Sequence, residues 1–318
     1  MSSYIDVFNG DADGICALHQ LRLADPQESQ LVTGIKRDIS LLKNVQAGSG
    51  DKVTVLDISL DKNRDDLLRL LEAGAQVRYF DHHYAGEIPQ HATLETYIDT
   101  DANVCSSLLV SHYLDDVYLA WAVTAAFGDN LYTSAEQAAI PLDLNSEQLE
   151  QLKLLGTCLN YNGYGSNLDD LIYHPDELYR LLAPYADPFA FIHEEPGYAR
   201  LQDAYHTDFE QVAAITPDYA DDGHALYVLP DARWARRVSG VYANQLAQQY
   251  PQRAHAMLTT RPEGGYVVSV RAPLSNKSGA DELCRQFETG GGRQAAAGIN
   301  HLPVQDYDAF VTAFRAAF

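Results

Sequence analysis

Four short apolar segments within the first eighty residues constrain this chain more than any other feature. They are Tyr4-Ile5-Asp6-Val7-Phe8, Leu31-Val32-Thr33-Gly34-Ile35, Val53-Thr54-Val55-Leu56 and Val77-Arg78-Tyr79-Phe80. Helical patterns lie between them at residues 15–24 and 64–73. Strand-length runs that alternate with helices predict an α/β fold with a parallel sheet and crossover helices, here an α/β/α layered N-terminal domain.

In such sheets, functional groups gather beyond the carboxyl ends of the strands. The acidic residues of interest sit at those ends: Asp11 and Asp13 after the first segment, Asp57 after the third, and Asp81-His82-His83 after the fourth. If these strands are parallel near-neighbours, the groups converge on one crevice.

The pattern is mostly helical from Ser106, with runs at residues 119–127 and 146–155. A stretch from Pro184 to Asp222, rich in Pro and acidic residues, carries a helical pattern near residues 201–215. The last third has strand patterns at residues 225–229, 254–259 and 265–271, and helical patterns at 238–250, 280–287 and 306–318. The expected organisation is a metal-binding catalytic domain at residues 1–190, a linker at 191–222, and a smaller C-terminal α/β domain with a mixed sheet at 223–318. A chain of 318 residues is long enough for two separate cores.

Charge restricts the partners. Lys and Arg number 22 against 44 Asp and Glu, a formal net charge of -22, and no basic run appears. Proteins that grip long nucleic acid spread cations over a face to neutralise phosphates, so a long duplex is not expected as a partner. A small anion neutralised locally by metal ions fits better. No apolar run approaches a membrane span and no signal-like segment opens the sequence. Cys16, Cys105, Cys158 and Cys284 have no paired spacing. A cytoplasmic, membrane-free protein is the expectation, with homodimerisation left open.

Taken singly, each motif has a plain reading. Asp11 and Asp13 in Asn9-Gly10-Asp11-Ala12-Asp13-Gly14 can turn toward one cation or bridge two, and Asp11 can equally cap the following helix. Asp57 has the same capping alternative. The Asp81-His82-His83 run places borderline and hard ligands together at a strand end, which packing explains poorly. Asp129 closes an apolar helix, where a carboxylate is electrostatically misplaced without a cation, or it is a turn residue of Gly128-Asp129-Asn130. Gly290, Gly291 and Gly292 with Arg293 read as a flexible loop that can cradle phosphate or simply connect, and Ser269, Arg271 and Lys277 can line the same surface.

In order, Asp11-Ala12-Asp13-Gly14, Asp57, Asp81-His82-His83, Asp129, then Gly290-Gly291-Gly292 with Ala296-Ala297-Gly298, the set resembles the DHH phosphoesterase superfamily with its associated C-terminal domain, over nearly the whole chain. The resemblance implies a two-ion Mn²⁺ centre, with Mg²⁺ or Co²⁺ as substitutes. It makes Asp11, Asp13, Asp57, His82 and Asp129 metal ligands and Asp57 the bridge. It also makes the second domain substrate-binding; His83, Asp81 and Asp57 are the expected catalytic residues, and Arg271, Lys277, Gly290, Gly291, Gly292 and Arg293 the expected substrate-binding ones. Asp101-Ala102-Asn103-Val104-Cys105-Ser106-Ser107 matches the segment that opens the helix after the Asp-His-His strand. Val7 stands where many members carry a His, so the first ion lacks a ligand, uses Asn9, or is held as in members without that His. Arg293 replaces the usual His of the C-terminal glycine motif and cannot serve as acid or base.

The expected function is metal-dependent hydrolysis of a phosphodiester or phosphomonoester of a short nucleotide: an oligoribonucleotide, a dinucleotide or a phosphorylated nucleotide. The 20 Tyr residues offer stacking surfaces for bases. The alternatives are an inorganic pyrophosphatase or exopolyphosphatase and, from another class, a non-catalytic nucleotide sensor.

Overall fold

A computed structural model describes residues 2–318. The chain divides into two compact units, one ending at Asp203 and one spanning Ala204–Phe318.

The first unit opens with β1 (Tyr4–Phe8), α1 (Ala12–Ala24), β2 (Ser29–Thr33), β3 (Lys52–Leu56), α2 (Leu60–Glu72), β4 (Gln76–Asp81) and β5 (Leu94–Ile98). The strands form one fully parallel sheet in the order β2-β1-β3-β4-β5. Alternate residues Ile5, Val7, Val53, Val55, Val77 and Tyr79 pack with Leu60, Leu67, Leu70 and Leu71 of α2 in one core. Burial on both faces of the central strands explains why they read as nearly continuous apolar runs. The order reverses between β1 and β3, and in open parallel sheets ligands bind beyond the strand ends at such a switch.

Helices α3 (Ser106–Tyr113), α4 (Leu119–Gly128), α5 (Tyr132–Ala139), α6 (Ser146–Gly163), α7 (Pro175–Leu182) and α8 (Pro188–Glu194) complete this unit. Helix α1 packs against α3, α4 and α6, and α3 touches β4. The sheet is thus covered on both faces. The stretch 191–222 holds the end of α8 and all of α9 (Pro196–Ala213), where the sequence shows a helical pattern at 201–215, and the division between units falls inside α9. Pro188 and Pro196 start helices α8 and α9, where a missing N–H is harmless.

The second unit contains β6 (Tyr219–Ala220), β7 (His224–Leu229), α10 (Arg233–Gln249), β8 (Ala254–Thr260), β9 (Tyr266–Arg271), α11 (Ala280–Cys284), β10 (Gly290–Gly292), β11 (Ala296–Leu302) and α12 (Tyr307–Ala317). Its mixed sheet runs β10-β11-β9-β8-β7-β6, with β7 and β8 parallel and the other pairs antiparallel. Leu258, Val268, Val270 and Ile299 form its core with Phe310 and Phe314 of α12. All four cysteines are buried and unbridged. Among the described residues, no helix is long and apolar enough to cross a membrane.

Candidate metal centre

The ends of β1, β3 and β4 and the C-terminus of α4 bring Asp11, Asp13, Asp57, His82 and Asp129 near one another. Asp11 is the N-cap of α1. Its Oδ1 accepts the N–H groups of Asp13 and Gly14, each at 3.1 Å. Capping and site membership are therefore not alternatives, because Oδ2 faces the Lys36 ammonium.

The N-terminus of α3 fixes Asp13. Ser106 N–H donates to its Oδ2 and Ser107 N–H to its Oδ1, both at 2.7 Å, while the Ser107 hydroxyl donates to the Asp13 carbonyl at 2.8 Å. Two N–H groups at a helix start are a natural partner for a carboxylate. The segment 101–107 therefore supplies the clamp that orients Asp13.

Asp57 follows β3 with φ of 58°, a left-handed conformation that side chains other than Gly, Asn and Asp rarely adopt. Its N–H donates to the Phe80 carbonyl at 3.0 Å, and Ser59 rather than Asp57 caps α2. Burial, and then the charges of Asp13, Asp11, Asp129 and Asp81, push its carboxyl well above the usual carboxylate range.

His82 carries the most informative geometry. Its Nδ1 lies 2.8 Å from the Val104 carbonyl oxygen, which can only accept, so Nδ1 bears a proton. In the neutral ring, Nε2 then presents a lone pair. It lies 3.4 Å from Asp57 Oδ1, 3.7 Å from Asp129 Oδ2 and 3.9 Å from Asp13 Oδ2. A lone pair facing three carboxylate oxygens is unfavourable unless a cation stands among them. Bonds of about 2.1 Å separate neighbouring donor atoms by roughly 3.0–3.4 Å, so His82 Nε2 stands from the Asp57 oxygen at the spacing of two donors on one divalent ion, with the Asp129 and Asp13 oxygens somewhat farther. Asn9 adds a buried Oδ1 without a hydrogen-bond partner.

His83 is oriented by Asp81. Its Nδ1 lies 2.7 Å from Asp81 Oδ1, and its side chain is 30% exposed, so Nε2 is left for a ligand. Asp57, His82 and His83 can each offer a donor atom within 4.8 Å of the others. Asp81, expected among the catalytic groups, is fully buried. Its other oxygen accepts Leu60 N–H at 3.3 Å at the start of α2. It holds His83 from behind.

Lys36 and Asn160 were not foreseen. Lys36 Nζ reaches Asp11 Oδ2, Asn160 Oδ1 at 2.9 Å and Asp129 Oδ1 at 3.4 Å, and lies over the Tyr164 ring. Burial alone would lower its pKa, but Asp11, Tyr164 and Asp129 outweigh it and hold the group well above the ordinary lysine range. No local pattern marks a lone lysine in a loop. Its only signal in the sequence was the apparent misplacement of Asp129 at a helix end.

The expected substrate-binding residues all lie in the second unit. Gly290, Gly291 and Gly292 are not a flexible loop but the edge strand β10, paired in register with Ile299, Gly298 and Ala297. Gly290 N–H is taken by the Phe287 carbonyl and Arg293 N–H by that of Ala296, so neither is offered to an anion. Arg271 donates to Asn244 Oδ1 at 2.6 Å and Ser269 Oγ at 2.9 Å. Lys277 and Arg293 are exposed.

No protein-family model matches this sequence, and no curated protein matches it either. Solved structures do. A manganese-bound RecJ exonuclease superposes with a TM-score of 0.66 at 16% identity, covering 99% of this chain and 90% of its own. The pGpG-specific phosphodiesterase PggH from Vibrio cholerae gives 0.59 at 16%, covering 100% of both chains. RecJ from Thermus thermophilus in complex with Mn²⁺ gives 0.63 at 17%, covering 99% of this chain but 52% of that longer one. At such identities the likeness is one of architecture: the chain has the fold of these exonuclease and phosphodiesterase structures, in line with the layered α/β architecture expected from the sequence.

Proposed function

We propose that this chain is a divalent-metal-dependent phosphoesterase that hydrolyses a short nucleotide, with Mn²⁺ as the first metal to test. The observation that carries this reading is the placement of His82, whose Nδ1 is held by the Val104 carbonyl and whose Nε2 faces Asp13, Asp57 and Asp129. The manganese in both RecJ structures supports the choice of metal.

A divalent ion there would polarise the phosphoryl group and lower the pKa of the attacking water. The chain does the rest. Ser106 and Ser107 N–H groups keep Asp13 turned inward, Val104 keeps the His82 lone pair directed at the acidic cluster, and His83, held by Asp81, presents its ring to the phosphate or leaving group. Asp81 is a positioning residue in this scheme, and His83 is the group that touches substrate.

A linear dinucleotide is the first substrate we propose. PggH, named as specific for pGpG, matches over the full length of both chains, and the net charge of -22 disfavours long polyanions. Inorganic pyrophosphate or polyphosphate is the second reading, and an exopolyphosphatase-related protein from Bacteroides fragilis with a TM-score of 0.54 favours it. The test is Mn²⁺-dependent product release from pGpG, tetra-ribonucleotide, phosphoadenosine phosphate and pyrophosphate, with EDTA controls. Fastest turnover of pGpG supports the proposal. Fastest turnover of pyrophosphate moves the assignment to the second reading, and binding of nucleotide without turnover of any substrate replaces the enzyme with a sensor.

A further inference from the structure

Lys36 sits where a cation would be expected to sit. Its ammonium meets Asp11 Oδ2, Asn160 Oδ1 and Asp129 Oδ1, with the face of Tyr164 beside it. Three oxygens and an aromatic ring are a donor set for a monovalent cation.

The backbone builds the lysine in. Its N–H donates to the Gly163 carbonyl at 2.8 Å, and its own carbonyl accepts the Asn9 amide at 3.3 Å. The loop approaches the Asp11 turn closely because Gly10 permits it: a Cβ there would stand 2.0 Å from the Gly34 carbonyl oxygen.

Asp11, meanwhile, is fully engaged. One oxygen caps α1 and the other faces Lys36, whereas His82 Nε2 lies within 4 Å of Asp13, Asp57 and Asp129. Val7 is fully buried in the core packed under α2 and offers no donor atom. One cluster is thus open to a divalent ion, and its neighbour is already charge-balanced.

We propose that the Lys36 ammonium takes the place of a second metal ion, so that the centre holds one divalent cation on Asp13, Asp57, His82 and Asp129, with Asp11 neutralised from within the chain. The four carboxylates, Asp11, Asp13, Asp57 and Asp129, then face one divalent ion and one ammonium, leaving a single net negative charge. Lys36 is a positioning residue for Asp11 and Asp129. This inference rests on the metal-centre reading given above and departs from the two-ion expectation raised by the sequence.

The test is Mn²⁺ stoichiometry on the full chain, by titration calorimetry and electron paramagnetic resonance. Wild type is expected to bind one Mn²⁺ with the six-line signal of an isolated ion. Lys36→Met, which keeps the stem and removes the charge, is expected to take up a second ion at least tenfold more tightly than wild type, with spin coupling between the two. Lys36→Gln is run alongside, with circular dichroism, to guard against misfolding. Two comparably tight, coupled ions in wild type overturn the inference and leave the metal centre standing. A single ion in the folded Lys36 variants also overturns it, and no bound ion in wild type removes both readings.

Discussion

At the residue scale, the site keeps its groups under stress that a metal would relieve. Asp57 combines a left-handed backbone with a carboxyl surrounded by like charges. Its pKa is raised in the fold, so it retains its proton more readily there than in the unfolded chain. Its ionisation therefore costs stability once pH rises through the raised pKa, and that cost disappears as pH falls toward the unfolded value near ~3.9. We predict that Asp57→Asn, which suits the positive φ and carries no charge, raises the stability of the metal-free protein at neutral pH by roughly 1 kcal/mol while abolishing Mn²⁺ binding. Thermal melts with and without EDTA, paired with calorimetry, check this, and a lower melting point for the metal-free variant would count against the reading of Asp57. Because protons compete with the ion for these carboxylates, Mn²⁺ affinity and turnover are expected to rise from mildly acidic to alkaline pH. Asp11, Asp13, Asp57, His82 and Asp129 were legible in the sequence because strand ends and a helix end mark them. Lys36 and Asn160 were not, since only tertiary packing brings a loop lysine and an amide from the last turn of α6 to the cluster.

At the element scale, the position of Asp129 depends on how closely helices approach. A Cβ at Gly156 of α6 would stand 2.0 Å from the Thr124 carbonyl oxygen of α4, and one at Gly128 would stand 2.5 Å from Ala12 Cβ of α1. These contacts bring the end of α4 to the start of α1, beside Asp11 and Asp13. Gly156→Ala should therefore destabilise the protein by about 1–3 kcal/mol, as overpacking does. It should also weaken Mn²⁺ binding without touching a ligand. Denaturant melts and Mn²⁺ titration of the variant read the two effects separately, and unchanged affinity in a destabilised variant would show that helix approach does not set the site. The central strands were readable because burial on both faces makes them apolar runs. Strand β5 was missed, since as a half-exposed edge its Leu94-Glu95-Thr96-Tyr97-Ile98 carries no such run. Strand β10 was read as a loop because three glycines have no side-chain period, and its pairing with β11 is a long-range fact.

At the scale of the whole molecule, a chain with 44 acidic and 22 basic side chains has its candidate metal centre in the first unit and exposed cations in both, Lys43 and Lys62 in the first and Lys277 and Arg293 in the second. We predict no retention of long duplex DNA in filter binding at ordinary salt, because too few cations are available to displace phosphate counterions. Saturable retention with a steep salt dependence would contradict that. Ligand linkage also predicts that Mn²⁺ at about a hundred times its dissociation constant stabilises the folded protein by roughly 2.7 kcal/mol. Differential scanning calorimetry in EDTA and in Mn²⁺ measures it. The central claim, that Asp13, Asp57, His82 and Asp129 hold the ion that hydrolyses a short nucleotide, is tested most directly by the rate of pGpG cleavage in Mn²⁺ for wild type and for His82→Ala. The account predicts Mn²⁺-dependent cleavage by wild type that EDTA removes, and a loss of more than about 100-fold in a variant that remains folded. Cleavage by His82→Ala at the wild-type rate would contradict it.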